Sequence, residues 1–211
     1  MDPSAGDGLL SPLAYAREDE STDDRFYLMP RKVVHIDDGA IRALGELYAA
    51  LLPPGGRLLD LMSSWRTHLP RDFRAREVVG LGLNAEEMAD NPRLTRAIVH
   101  DLNRDPGLPF GDGEFDGAMC AVSIQYVLHP LRVFREVHRV LRPKAPFVVS
   151  FSNRCFPTKA VAIWLGAGDR QHVELVRAYF DAAGHWADVT EADRSPDGNG
   201  DPLYAVWARA A

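Results

Sequence analysis

The stretch Arg57–Pro70, RLLDLMSSWRTHLP, decides how the rest of the chain is read. Leu58, Leu59 and Leu61 form a short apolar run that reaches an acid at Asp60. In doubly wound α/β sheets, a strand that runs out into a loop carries the ligand at its carboxyl end, and glycines in that loop let the backbone come close. Here the loop reads Met62, Ser63, Ser64, Trp65, with no glycine. What such a loop accepts depends on what surrounds it.

Outward from this point the chain alternates. RLLDL, EVVGLGL, RAIVHDL, FDGAMCAVSI and APFVVSFS are short apolar runs bounded by turn residues. Between them NAEEMADN reads as a weak helix and HPLRVFREVHRVLRP as a strong one, with Val133, Phe134, Val137, Val140 and Leu141 at helical spacing. Upstream, DDGAIRALGELYAALLPPGG is a helix that Asp37 or Asp38 caps and Pro53-Pro54-Gly55-Gly56 stops. Runs with little polar alternation predict a parallel sheet covered on both faces. TKAVAIWLGA and RQHVELVRAYFDAAG read as further helices. WADVTEADRS and PLYAVWARA lie too close in sequence for a parallel return, so the sheet is expected to end with an antiparallel strand.

The 211 residues suit one domain. A net charge of −6 argues against a general nucleic-acid binder, which needs a basic surplus. Two cysteines, Cys120 and Cys155, are too few for a disulfide framework. With no secretory or membrane-length apolar run, a cytoplasmic protein is expected. Residues 1–24, rich in Gly, Pro, Ser and acids, read as a mobile arm. Residues 25–211 read as one domain, in which 25–37 is a candidate lid with Phe26, Tyr27, Met29 and His35 facing a site.

Four places resemble the class I S-adenosylmethionine-dependent methyltransferases, in their small-molecule, type 11-like branch: LLDL, VHDLNRDPGLPFGDGEFDGAMC, VFREVHRVLRPKAPFVVS and PLYAVWARA. Together they span roughly residues 38–208. The resemblance implies a Rossmann-like, mostly parallel seven-stranded sheet of order 3-2-1-4-5-7-6, the last strand antiparallel, with helices on both faces. It implies a transferase that uses S-adenosylmethionine and a small-molecule acceptor, with no nucleic-acid or membrane partner. Oligomeric state is left open. The chain departs from the pattern twice. The first loop lacks its glycines, and the end of the second strand, where an acid usually holds the ribose, has Gly82 with Asn84 two residues on.

A pyrophosphate cofactor needs close backbone approach most, so the missing glycines weigh more against a nicotinamide dehydrogenase than against a methyltransferase. On the resemblance, Asp60, Met62, Ser63, Ser64, Asn84, Asp101, Leu102 and Ala121 are the cofactor residues. Each has an ordinary structural alternative. Trp65 either roofs the cofactor or plugs the core. Asn84 either holds ribose or caps a helix. Asp101 either meets the adenine amino group, with Leu102 stacking, or caps a turn.

Tyr27, Gln125, Tyr126, Asn153 and Arg154 are candidate substrate contacts, Arg154 for an anion and Tyr126 equally a core residue. His35, His68 and Tyr126 are candidate catalytic groups, though a lone histidine is more often structural. Cys155 has no paired histidine and reads chiefly as a small hydrophobe. Glu86 and Glu87 read as a solvated helix start, and no metal-ligand spacing is present. The expected chemistry is in-line methyl transfer, which needs alignment and water exclusion more than a dedicated base. The other reading is a non-catalytic module of the same fold whose pocket has been altered by Met62 and Trp65.

Overall fold

The computed structural model describes residues 9–198 and 200–211. The seven strands are β1 (Arg57–Leu61), β2 (Glu77–Gly82), β3 (Arg96–Val99), β4 (Gly117–Ala121), β5 (Pro146–Phe151), β6 (Trp186–Asp193) and β7 (Tyr204–Ala210). They form one sheet in the order β3-β2-β1-β4-β5-β7-β6. The five strands from β3 to β5 run parallel, and β7 is antiparallel to both its neighbours. This is the expected order.

The helices are α1 (Asp23–Phe26), α2 (Asp38–Leu51), α3 (Ala85–Ala89), α4 (Pro130–Val140), α5 (Ala162–Leu165) and α6 (Asp169–Ala183). Alternation along each strand divides the core in two, because successive side chains point to opposite faces. Leu58, Val78, Met119 and Val148 meet Leu44, Leu47 and Tyr48 of α2 on one face. Leu59, Val79, Cys120, Phe147 and Val149 meet Phe134 and Val137 of α4 and Val176 and Phe180 of α6 on the other.

Local chemistry sets the boundaries. Asp37 accepts the Ala40 N–H at 2.8 Å and starts α2. Pro130 opens α4, where its missing N–H leaves nothing unpaired. The segment read as one helix from Thr158 is shorter: α5 has only four residues. Lys159 is drawn into a buried ionic cluster, and the Val161 N–H is taken by the Gln125 carbonyl instead of a preceding turn.

Of the arm expected over residues 1–24, residues 1–8 lie outside those described. Residues 9–24 pack against the domain, with Tyr15 and Asp23 buried. No described helix is long and apolar enough to cross a membrane.

Candidate functional site

A cavity of about 1200 Å³, counted out to its open mouth, lies where β1, β2 and β4 end. That is the switch point at which doubly wound sheets take ligands. Its floor comes from Asp60–Arg66, Leu81–Asn84, His100–Asn103 and Ala121–Ser123, and its cover from Asp23, Tyr27, Arg31 and Val33–Ile36.

The first loop turns as a glycine loop would. Met62 has φ of 56°, the left-handed region that costs an L-residue energy. The loop then drops onto β2. The Ser63 N–H bonds the Leu81 carbonyl at 2.8 Å, and a Cβ on Gly82 would lie 2.1 Å from the Ser63 carbonyl oxygen. The second departure from the family pattern has a direct steric cause: loop backbone fills the space that a side chain at position 82 would need.

Asp60 is buried, and its Oδ2 accepts from Ser63 Oγ at 2.6 Å and Thr67 Oγ1 at 3.0 Å. Burial pushes its carboxyl up to about 7, against the partial relief those two hydroxyls give. Among the described residues none donates to Oδ1. Asn91 holds the far side of the loop through Ser64 O at 2.8 Å and Thr67 Oγ1 at 2.9 Å.

Asn84 caps α3, accepting the Glu87 N–H at 3.0 Å, and its amide also donates to the Tyr27 carbonyl at 2.9 Å. Glu87 is 5% exposed, which corrects its reading as a solvated helix residue. Its two oxygens accept from Ser64 Oγ and from the Arg31 N–H, so it ties loop and cover together. Asp101 accepts the Asn103 and Arg104 N–H groups through Oδ1 alone. Leu102 and Ala121 line the cavity beside it.

Trp65 neither plugs the core nor fills the cavity. It is half-buried in the wall, and its indole N–H donates to Val33 O at 3.3 Å. In the segment read as a lid, Tyr27 and His35 face the cavity, whereas Phe26 does not line it and Met29 is 72% exposed. Desolvation lowers His35, and it drives His68 to about 4. His68 Nδ1 is buried without a partner.

Tyr126 lines the cavity while its hydroxyl accepts the Phe156 N–H at 2.8 Å. Gln125 is fully buried and bonds the Val122 carbonyl, outside the lining. Asn153 and Arg154 are exposed and also outside it; Arg154 pairs with Asp201 at 2.8 Å. The Cys155 thiol is half-buried and raised by burial, which disfavours a thiolate.

Sequence reasoning missed Arg31, Phe156, Lys159 and Asp23, all of which line the cavity. Phe156 directly follows Cys155, the last residue weighed after β5, and proximity to a strand end was its only signal. Lys159 and Asp23 are brought together from opposite parts of the chain.

Residues 65–149 match the Methyltransferase domain family, which takes in β2 through β4 and most of β5. That match covers about two fifths of the chain, and the sheet order is that of the Rossmann-like methyltransferase fold. A malonyl-[acyl-carrier protein] O-methyltransferase of Marinomonas sp. is 28% identical over 94 residues, 44% of this chain and 34% of that one. A biotin biosynthesis bifunctional protein, BioHC, of Teredinibacter turnerae is 32% identical over 66 residues, 31% of this chain and 12% of that one. The match thus spans about a third or less of these curated relatives. An S-adenosylmethionine-dependent methyltransferase of Mesorhizobium loti shares the fold, with a TM-score of 0.56 and 21% identity over 79% of this chain and 97% of its own.

The methyltransferase domain implies S-adenosylmethionine as cofactor, and the donor set fits it. Asp60 offers a free carboxylate oxygen to an ammonium, Asp101 keeps Oδ2 for a polar edge, and Leu102 gives an apolar surface beside it. The protons of Ser63 and Ser64 are committed to Asp60 and Glu87, so toward a ligand these serines are acceptors.

Proposed function

We propose that the protein transfers a methyl group from S-adenosylmethionine to a small-molecule acceptor by in-line displacement. The observation that carries this reading is a covered cavity at the β1–β4 switch point with two partly unengaged carboxylates, Asp60 and Asp101, in its floor. Asp60 holds the amino-acid end, Asp101 the adenine edge with Leu102 and Ala121 against the ring, and Asn84 lies nearest the ribose. Met62, Ser63 and Ser64 form the wall between them.

When bound, S-adenosylmethionine supplies a methyl group activated by a sulfonium. The chain supplies alignment and a site shielded from water by Tyr27, Arg31 and His35. Burial lowers the His35 pKa, and its ring meets Phe156 edge-on in the cavity wall, so it serves as base where the acceptor atom is protonated. His68, at about 4, is too weakly basic for that task. The open cavity beside Trp65 supports binding over the non-catalytic alternative.

Titration calorimetry and melting with S-adenosylhomocysteine test the reading. At about a hundred times the Kd, binding adds about 2.7 kcal/mol, a rise in Tm of roughly 5–10 °C for a chain of this size. Absence of both heat and melting shift at about 1 mM ligand, where even weak sites fill, removes it.

A further inference from the structure

We infer that Arg31 receives a carboxylate, so that the acceptor is an organic acid whose apolar body lies against Tyr126 and Phe156. This deepens the proposed function and rests on it. Arg31 is held at its backbone and at Nε, and its terminal nitrogens are left open. Its backbone N–H is held by Glu87, and its Nε donates to Phe26 O at 3.1 Å. Its guanidinium carbon stands 4.0 Å from the Phe26 ring centre and 5.7 Å from that of Phe156. Among the described residues no carboxylate pairs with it, and neither terminal nitrogen has a protein partner. A planar fork of donors, oriented in advance and left unused beside a covered cavity, matches the two oxygens of a carboxylate.

Apart from Asp60 and Asp101 in the floor and the exposed Arg66, the other charged side chains that line the cavity already have partners. Asp23 accepts from Arg17 at 2.7 Å and from Asn103 at 2.7 Å, and stands 3.4 Å from Lys159. Lys159 also pairs with Asp19 at 3.3 Å. Glu87 accepts from Ser64 and the Arg31 backbone. Arg66, likewise without an acid, is exposed and lies over Trp65 at 4.4 Å, so water screens it. The wall next to Arg31 is aromatic: Phe156 stacks with Tyr126 at 6.2 Å and meets His35 edge-on at 4.6 Å. Among the described residues, an anion in this half of the cavity finds one open cation, Arg31, and the rest of the molecule finds rings.

The test uses full-length protein loaded with S-adenosylhomocysteine. Wild type and Arg31→Met are titrated by calorimetry with straight-chain carboxylates from acetate to octanoate and with benzoate. The matched primary amides are run beside them. At least one acid is expected to bind wild type about tenfold or more tightly than its amide. Arg31→Met should weaken the acid about ten- to a hundredfold, the worth of a charged hydrogen-bond pair, and leave the amide unchanged. Arg31→Lys should recover part of the loss. No acid binding, equal binding of acid and amide, or parallel weakening of both in Arg31→Met overturns the inference; the last would make Arg31 a fastener of the cover only. Failure of S-adenosylhomocysteine itself to bind wild type overturns the cofactor reading, and this one with it.

Discussion

At the scale of single residues, the floor of the site depends on Gly82 and Asp60. Gly82→Ala places a methyl 2.1 Å from a backbone oxygen that cannot rotate away. The expected cost is about 1–3 kcal/mol, with loss of S-adenosylhomocysteine binding, read by melting and calorimetry. Gly166→Ala is the control: its nearest new contact is 3.4 Å and its φ is −84°, so it should be near neutral. Asp60 sets a pH dependence. Its carboxyl is near 3.8 when unfolded and about 7 when folded, so the unfolded state gives up the proton first. Stability from this group is full below about 4 and is lost as the pH rises through 7. Asp60→Asn keeps an acceptor for Ser63 and Thr67 and removes the slope. The variant should be more stable at pH 8 by on the order of 2–4 kcal/mol, measured by urea unfolding across pH. The sequence places Asp60 at a strand end, but nothing in it reveals that Ser63 and Thr67 both turn back onto the same oxygen.

Among the elements, the N-terminal cover is the part the sequence conceals most. Gly, Pro, Ser and acids describe a solvated arm, yet Asp23 is buried between Arg17, Asn103 and Lys159. Lys159, 1% exposed, keeps Asp19 and the Ser21 carbonyl as further partners. Removing one member of such a group strands buried charge, at about 3–5 kcal/mol. Asp23→Ala should therefore release the cover. Hydrogen exchange over residues 12–36 is expected to rise while the strands stay protected; equal loss of protection in both would show that the cover and the sheet unfold as one unit. Asn84→Ala should cost about 1 kcal/mol through the α3 cap, and it also frees the Tyr27 carbonyl from the cover's contact with α3. A helix of five residues signals weakly, so the sequence could place Asn84 at a cap without showing that its amide reaches the cover.

On the scale of the whole molecule, Phe134 joins three elements. Its ring lies 5.2 Å from Phe147 of β5, 5.8 Å from Tyr179 and 4.7 Å from Phe180 of α6. Phe134→Ala should cost about 3–5 kcal/mol, a fall in Tm of roughly 6–20 °C by circular dichroism. Leu165→Ser, at a side chain 49% exposed, should stay within about 0.5 kcal/mol. The sheet itself was legible because burial on two faces forces unbroken apolar runs, and a short connection forbids a parallel last strand; both constraints act within a few residues of chain. The positions of Asp60, Asp101 and Asn84 followed from those runs, since strand ends mark the crevice. Arg31, Phe156 and Lys159 did not follow, and Arg154, placed at the crevice by sequence, turned outward to Asp201. Which cation faces the cavity is settled by pairing across 47 residues for Arg154 with Asp201 and 140 for Lys159 with Asp19, and no local pattern encodes such a choice. Sequence by itself determined the strands, through the family resemblance their order, and the strand ends that border the cavity; tertiary structure alone decided which charges are spent on one another and which stay open.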